Sequence, residues 1–210
     1  MGQYYKLAVL NDKRRNAKNS EKIACALSSY DYENGAKLME FSYIGNWFVS
    51  VFEELINQEH GKYAGLPVVC CGDYADEECY KLNANSIRYM GGDSEDVRCD
   101  SGEKPTLYTL AQYYIQSHKD TKPTKRNHYR YIINLDKKVF IDTDNIKRDT
   151  DGYRIHPLTL LISEGNGRGG GDYNGKNMRY VGTWARNRVV VSDNRPDESF
   201  KERVYNFKEG

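Results

Sequence analysis

Tyr129–Asp142, YRYIINLDKKVFID, is the stretch on which the fold reading turns. Two β-rich runs, Tyr129–Asn134 and Val139–Asp142, flank the charged tetrapeptide LDKK, a pattern that predicts an antiparallel hairpin with an exposed turn. Working outward, Tyr4–Leu10 reads as a first strand and Leu66–Cys71 as a short buried strand opening into the polar turn Gly72, Asp73, Tyr74. Met178–Trp184 and Arg188–Val191 read as closing strands. Between them Arg154–Ile162 is an apolar run interrupted by Pro157, and it leads straight into a glycine-rich segment.

Two segments carry a helical period. From about Asn46 to Glu59, Trp47, Phe48, Val51, Phe52, Leu55 and Ile56 recur at spacings of three and four, which places Glu53, Glu54 and Asn57 on the opposite, polar face, with Gly61 as the stop. Leu107, Leu110, Ala111 and Tyr114 mark a second helix, followed by the basic linker HKDTKPTKRNH. The charged run NDKRRNAKNSEK after the first strand is expected to be a surface excursion, and 83–104 a loop. The balance predicts an α+β fold, one domain over 1–210, with a mostly antiparallel sheet and two main helices.

Composition limits what such a domain can do. With 31 Lys and Arg against 30 Asp and Glu, no global field draws the chain to nucleic acid or an anionic membrane, so anion binding has to be local. No window approaches the length of a membrane span and the N-terminus lacks the core of a signal peptide, which makes the cytoplasm the expected location. The five cysteines, Cys25, Cys70, Cys71, Cys79 and Cys99, show no metal-ligand spacing and are expected as reduced thiols. On a strand, adjacent Cys70 and Cys71 point to opposite faces. Neither a metal nor a cofactor is expected.

The chemistry concentrates in EGNGRGGGDY, residues 164–173. Glycine admits positive φ and lets backbone N–H groups approach a ligand, so Gly167, Gly169, Gly170 and Gly171 are suited to an anion nest around the planar fork of Arg168. Glu164, Asn166 and Asp172 supply polar partners for hydroxyls or a base amine, and Tyr173 supplies a ring for stacking. The run is neither a Walker loop, which ends in Gly-Lys-Ser/Thr, nor a dinucleotide fingerprint, which needs a strand before and a helix after. Just upstream, His156 has the chemistry of an acid or base, although a histidine before a proline is also an ordinary structural residue. His60, His118 and His128 stand in polar contexts and are expected to be solvated. Tyr43, Asp73, and Trp184 with Arg186 interrupt apolar segments, and they make a site only if they converge on the glycine-rich run.

These blocks also carry a resemblance. MGQYYK at the start, AKLMEFSYIGN at 36–46, GDYAD at 72–76, HPLTLLISEGNGRGGGDY at 156–173 and VGTWAR at 181–186 resemble the small MGQYY-type proteins of bacteria and their phages. Two places depart from that pattern: Cys70 and Cys71 stand where a tryptophan is common, and the charged stretch from Asn11 to Tyr32 is longer. The resemblance brings no catalytic residue with it. A phage setting implies a counter-defence protein that captures a nucleotide signal in the host cytoplasm.

The leading expectation is therefore a binding protein that sequesters a small anionic ligand, nucleotide or ADP-ribose-like, as a monomer or homo-oligomer. The alternative is a hydrolase or transferase acting on a nucleotide-type substrate, with Glu164, Asp172 or His156 as acid or base. A third class, a protein inhibitor of a host enzyme, would use exposed tyrosines as anchors, drawn from eighteen in the chain.

Overall fold

The computed structural model describes residues 3–11, 23–75, 106–124, 126–165 and 173–209. The charged excursion after the first strand, the loop expected over 83–104, Cys79, Cys99 and residues 166–172 of the glycine-rich run lie outside them.

The described residues form ten strands in chain order: β1 (Tyr5–Leu10), β2 (Ile23–Ser28), β3 (Pro67–Gly72), β4 (Tyr131–Asn134), β5 (Val139–Asp142), β6 (Ser163–Glu164), β7 (Gly175–Lys176), β8 (Asn187–Ser192), β9 (Lys201–Glu202) and β10 (Lys208–Glu209). Eight form one sheet in the order β2-β1-β3-β8-β4-β5-β9, with β6 added beside β3, while β7 and β10 pair separately. Pairing is antiparallel except for β3 with β6 and β5 with β9. The hairpin forms as expected, Tyr131 facing Asp142 and Asn134 facing Val139. Asn134 shapes its turn by accepting from the N–H groups of Asp136 and Lys137. The fold is α+β.

The described α-helices are α1 (Leu38–Phe41), α2 (Trp47–Leu55), α3 (Leu107–Gln112) and α4 (Pro157–Leu161). The two expected helices are α2 and α3, each opened by a side-chain cap: Asn46 accepts from Val49 N–H and Thr106 from Thr109 N–H. Three readings change. Strand β2, IACALS, went unread beside the charged run that precedes it. Arg154–Ile162 ends in α4, since Pro157 sits at the first helical position, where its missing N–H costs nothing. Met178–Trp184, read as a strand, is a short 3-10 helix (Met178–Tyr180) and a turn, with Gly182 at φ 75°.

The sheet buries both faces. One carries the main core, in which Phe48, Val51 and Phe52 of α2 pack with Leu7, Cys70, Leu160 and Val191. The other carries a smaller core of Ala8, Ala26, Val69 and Cys71 covered by Leu107, Leu110 and Ala111 of α3. Cys70 and Cys71 thus fall on opposite faces, as strand alternation requires. The polar face expected of α2 is not polar in its surroundings: Glu53 and Asn57 are each 1% exposed, whereas Trp47 is 41% exposed. The helix is too short and too enclosed to present a solvent face along its whole length. No described helix is long and apolar enough to cross a membrane.

Candidate functional site

Strand alternation builds the site. Tyr5 and Leu7 enter the main core, so Lys6 of β1 faces the α3 side of the sheet, opposite Ser28 of β2 and Cys71 of β3. A lysine in the apolar run YYKLAVL is the one charge that the strand must bury, and its side chain is held by α3. Its Nζ donates to the Tyr108 carbonyl at 3.1 Å and lies 3.6 Å from the centre of the Tyr108 ring. Burial pulls the ammonium down to about 8, against the opposing pull of Cys71 and Asp73. The same burial pushes the Cys71 thiol up to about 12, so this cysteine is a packed thiol and not a nucleophile.

At the end of β3 the chain turns. Asp73 Oδ1 accepts from Tyr4 N–H at 3.1 Å, and Asp73 N–H donates to the Tyr4 carbonyl at 3.0 Å, which locks the turn to the start of β1. Beside it runs β6, whose Glu164 is opposite Cys71. Gly72 makes that approach feasible, because a Cβ there would stand 2.9 Å from the Glu164 carbonyl oxygen and 2.9 Å from the Tyr5 ring.

Glu164 is gripped in a fork. Arg186 Nε donates to Oε1 at 2.8 Å and Nη2 to Oε2 at 2.9 Å, the bidentate geometry that distinguishes arginine from lysine. Both side chains are only partly buried, 27% exposed for Arg186 and 19% for Glu164. The Arg186 backbone is left-handed, φ 60°, and its N–H donates to the Val68 carbonyl at 2.8 Å. A non-glycine residue held in that conformation costs about 1 kcal/mol, a strain that is common at binding sites. Lys6, Asp73, Glu164 and Arg186 therefore gather at one sheet end, two cations and two carboxylates, at the point where the chain leaves for residues 166–172.

The other expected residues are placed differently. Tyr173 was expected as a stacking ring, but it is 2% exposed, edge-on to Phe207, and its hydroxyl pins β7 to β10 by accepting from Lys208 N–H and meeting the Lys176 and Lys208 carbonyls. Trp184, which would have to converge on the glycine-rich run to serve a ligand, is 1% exposed and set edge-on to Tyr205. Aromatic area of that size goes to the core before it goes to a ligand. Tyr43 pairs its backbone with Ile155 and its ring with Tyr153. Asn166, Gly167, Arg168, Gly169, Gly170, Gly171 and Asp172 are outside the described residues.

His156 is a structural cap. Its Nδ1 accepts from Leu158 N–H at 3.3 Å, which leaves the ring proton on Nε2, and Nε2 donates to Glu53 Oε1 at 3.1 Å. Both side chains are 1% exposed. His128, expected in solvent, is buried beside them, its Nδ1 donating to the Arg126 carbonyl at 2.9 Å. His60 is exposed, bonded to Glu54 and Tyr129, and His118 is half-buried with its Nε2 3.7 Å from Cys25 Sγ.

Sequence reading missed Lys6 and Tyr108. The isolated lysine of YYKLAVL was the available signal; Tyr108 had none, because only tertiary packing brings it over β1. Among the described residues no group of three or more His, Cys, Asp or Glu is arranged to hold a metal ion. Compared with protein-family models, curated proteins and solved structures, the chain matches none.

Proposed function

We propose that the protein binds a small anionic, nucleotide-like ligand at the sheet end built by Lys6, Asp73, Glu164 and Arg186, and sequesters it without turnover. One observation carries this reading: residues from four distant parts of the chain converge as a charge-balanced, partly open polar cluster, and one of them, Glu164, directly precedes the glycine-rich run. Such a cluster sets a partly exposed, oriented Glu164–Arg186 pair at the start of the glycine-rich run, whose Arg168 and neighbouring glycines carry donors of the kind phosphate needs. With the MGQYY-type resemblance, the ligand class is a nucleotide or ADP-ribose-like signal, captured by a phage protein in the host cytoplasm.

The hydrolase alternative draws less support. Both oxygens of Glu164 are engaged by Arg186, and both ring nitrogens of His156 are engaged within the core, so neither is poised to move a proton to a substrate. The test is to mix the protein with a panel of nucleotides and ADP-ribose, remove unbound compound, denature the protein by heat and chromatograph what is released. Release of one input compound intact is the expected result. Recovery of a cleaved product would replace sequestration by catalysis, and retention of nothing from the panel would end the nucleotide reading.

A further inference from the structure

The buried rings of Tyr173 and Trp184 leave the proposed ligand without a stacking partner, yet the same sheet end carries other tyrosines. Tyr4 precedes β1 and, two residues from Lys6, emerges on the same face. Its backbone is held by the two hydrogen bonds to Asp73, so the ring stands on a fixed base. On the adjoining strand, β2 gives way to the 3-10 helix Ser29–Tyr32, which carries Tyr30. Since Lys6 pairs with Ser28 across β1 and β2, the two tyrosines leave neighbouring strands at the same end. Both are open to solvent, Tyr4 at 45% and Tyr30 at 65%. Tyr108, seated on Lys6, has a phenol within electrostatic reach of Asp73, Tyr30 and Tyr4.

Exposed rings beside a polar cluster are what recognition of a flat heterocycle requires, because an aromatic face binds any base and loses little side-chain entropy in doing so. We infer that Tyr4 and Tyr30 form a base-stacking subsite next to Asp73, so that the ligand's nucleobase lies over β1 and β2 while its sugar and phosphates reach toward Glu164 and Arg186. The inference rests on the nucleotide reading above and assigns the base to rings that no motif marked.

Isothermal titration of the full chain with AMP and with ribose 5-phosphate separates the two claims. The subsite predicts that AMP binds more tightly than ribose 5-phosphate by roughly five- to a hundredfold, the range of one base stacked on one ring. It further predicts that Tyr30→Ala and Tyr4→Ala each weaken AMP by about fivefold or more and leave ribose 5-phosphate unchanged, while Tyr30→Phe retains AMP. Equal affinity for the two compounds, or an AMP affinity indifferent to both alanine variants, would overturn the subsite and leave the anion site standing. Binding of neither compound to the unaltered protein would overturn both.

Discussion

Two polar clusters among the described residues are opposite in design. At the sheet end, Lys6, Asp73, Glu164 and Arg186 balance charge against charge, and Glu164 and Arg186 keep contact with solvent. Under α2, Glu53, His156 and His128 are sealed, and the carboxylate has imidazoles for neighbours. Hydrogen bonds fix the imidazoles there: Leu158 N–H occupies His156 Nδ1 and the Arg126 carbonyl takes the His128 Nδ1 proton. Among the described residues, Glu53 Oε2 and His128 Nε2 have no hydrogen-bond partner. A cluster with committed tautomers and no access holds helices in place, whereas a partly exposed ion pair with a strained arginine is the arrangement on which the binding proposal rests.

The largest effect that separates the two concerns His156. In His156→Ala the Leu158 N–H loses its cap and Glu53 loses its donor inside the core, which should cost roughly 3 kcal/mol or more in a urea titration. His156→Asn, able to cap but not to reach Glu53 in the same way, should recover about 1 kcal/mol of that loss. A change below about 0.5 kcal/mol for His156→Ala would break the comparison, since the buried cluster would then not be the structural one.

Next in size is a pH effect. Burial holds the His128 pKa below its ordinary value, outweighing the hydrogen bond to the Arg126 carbonyl and the Glu53 carboxylate, which raise it, while the His156 and Arg126 side chains add to the lowering. The folded state therefore binds fewer protons than the unfolded chain. Stability from this group is complete above the unfolded histidine value, near 6.5, and falls as pH drops below it toward the lowered folded pKa, by at most about 1.4 kcal/mol per pH unit. Urea midpoints compared at pH 7.5 and 5.5 should show this drop for the unaltered protein, and His128→Gln should reduce it. An equal drop in both would assign the acid sensitivity elsewhere.

The contrast also explains how much was readable beforehand. Hairpin β4–β5, strand β3 and helix α2 announce themselves because their periods are local, Asp73 and Arg186 stood out as polar breaks in apolar segments, and Glu164 as an acceptor at the start of the glycine-rich run. Their convergence was not legible, since it depends on β6 running beside β3 against Gly72. The burial of Glu53 and His128 was misread for a related reason: a polar residue at a helical or loop position is assigned to solvent by pattern, and only packing shows that a second element covers it. Tyr173 and Trp184 failed similarly, their rings being claimed by Phe207 and Tyr205 from the C-terminal segment.

The smallest stability effect should accompany the clearest functional one. Glu164→Gln abolishes the charge of a partly exposed ion pair, and pairs of that kind contribute about 1 kcal/mol or less, so the urea midpoint should scarcely move. Yet the neutral amide cannot hold Arg186 through two charge-assisted bonds, and the guanidinium loses the orientation that Glu164 imposes on it. Retention of whichever nucleotide the panel identifies should then fall about tenfold or more in equilibrium dialysis, at unchanged fold as judged by circular dichroism. The two readouts move in opposite order from those of His156→Ala, where stability falls first. If Glu164→Gln instead destabilises the protein by several kcal/mol and binds as before, the Glu164–Arg186 pair belongs to the scaffold, and the division between a structural cluster and a binding cluster does not hold.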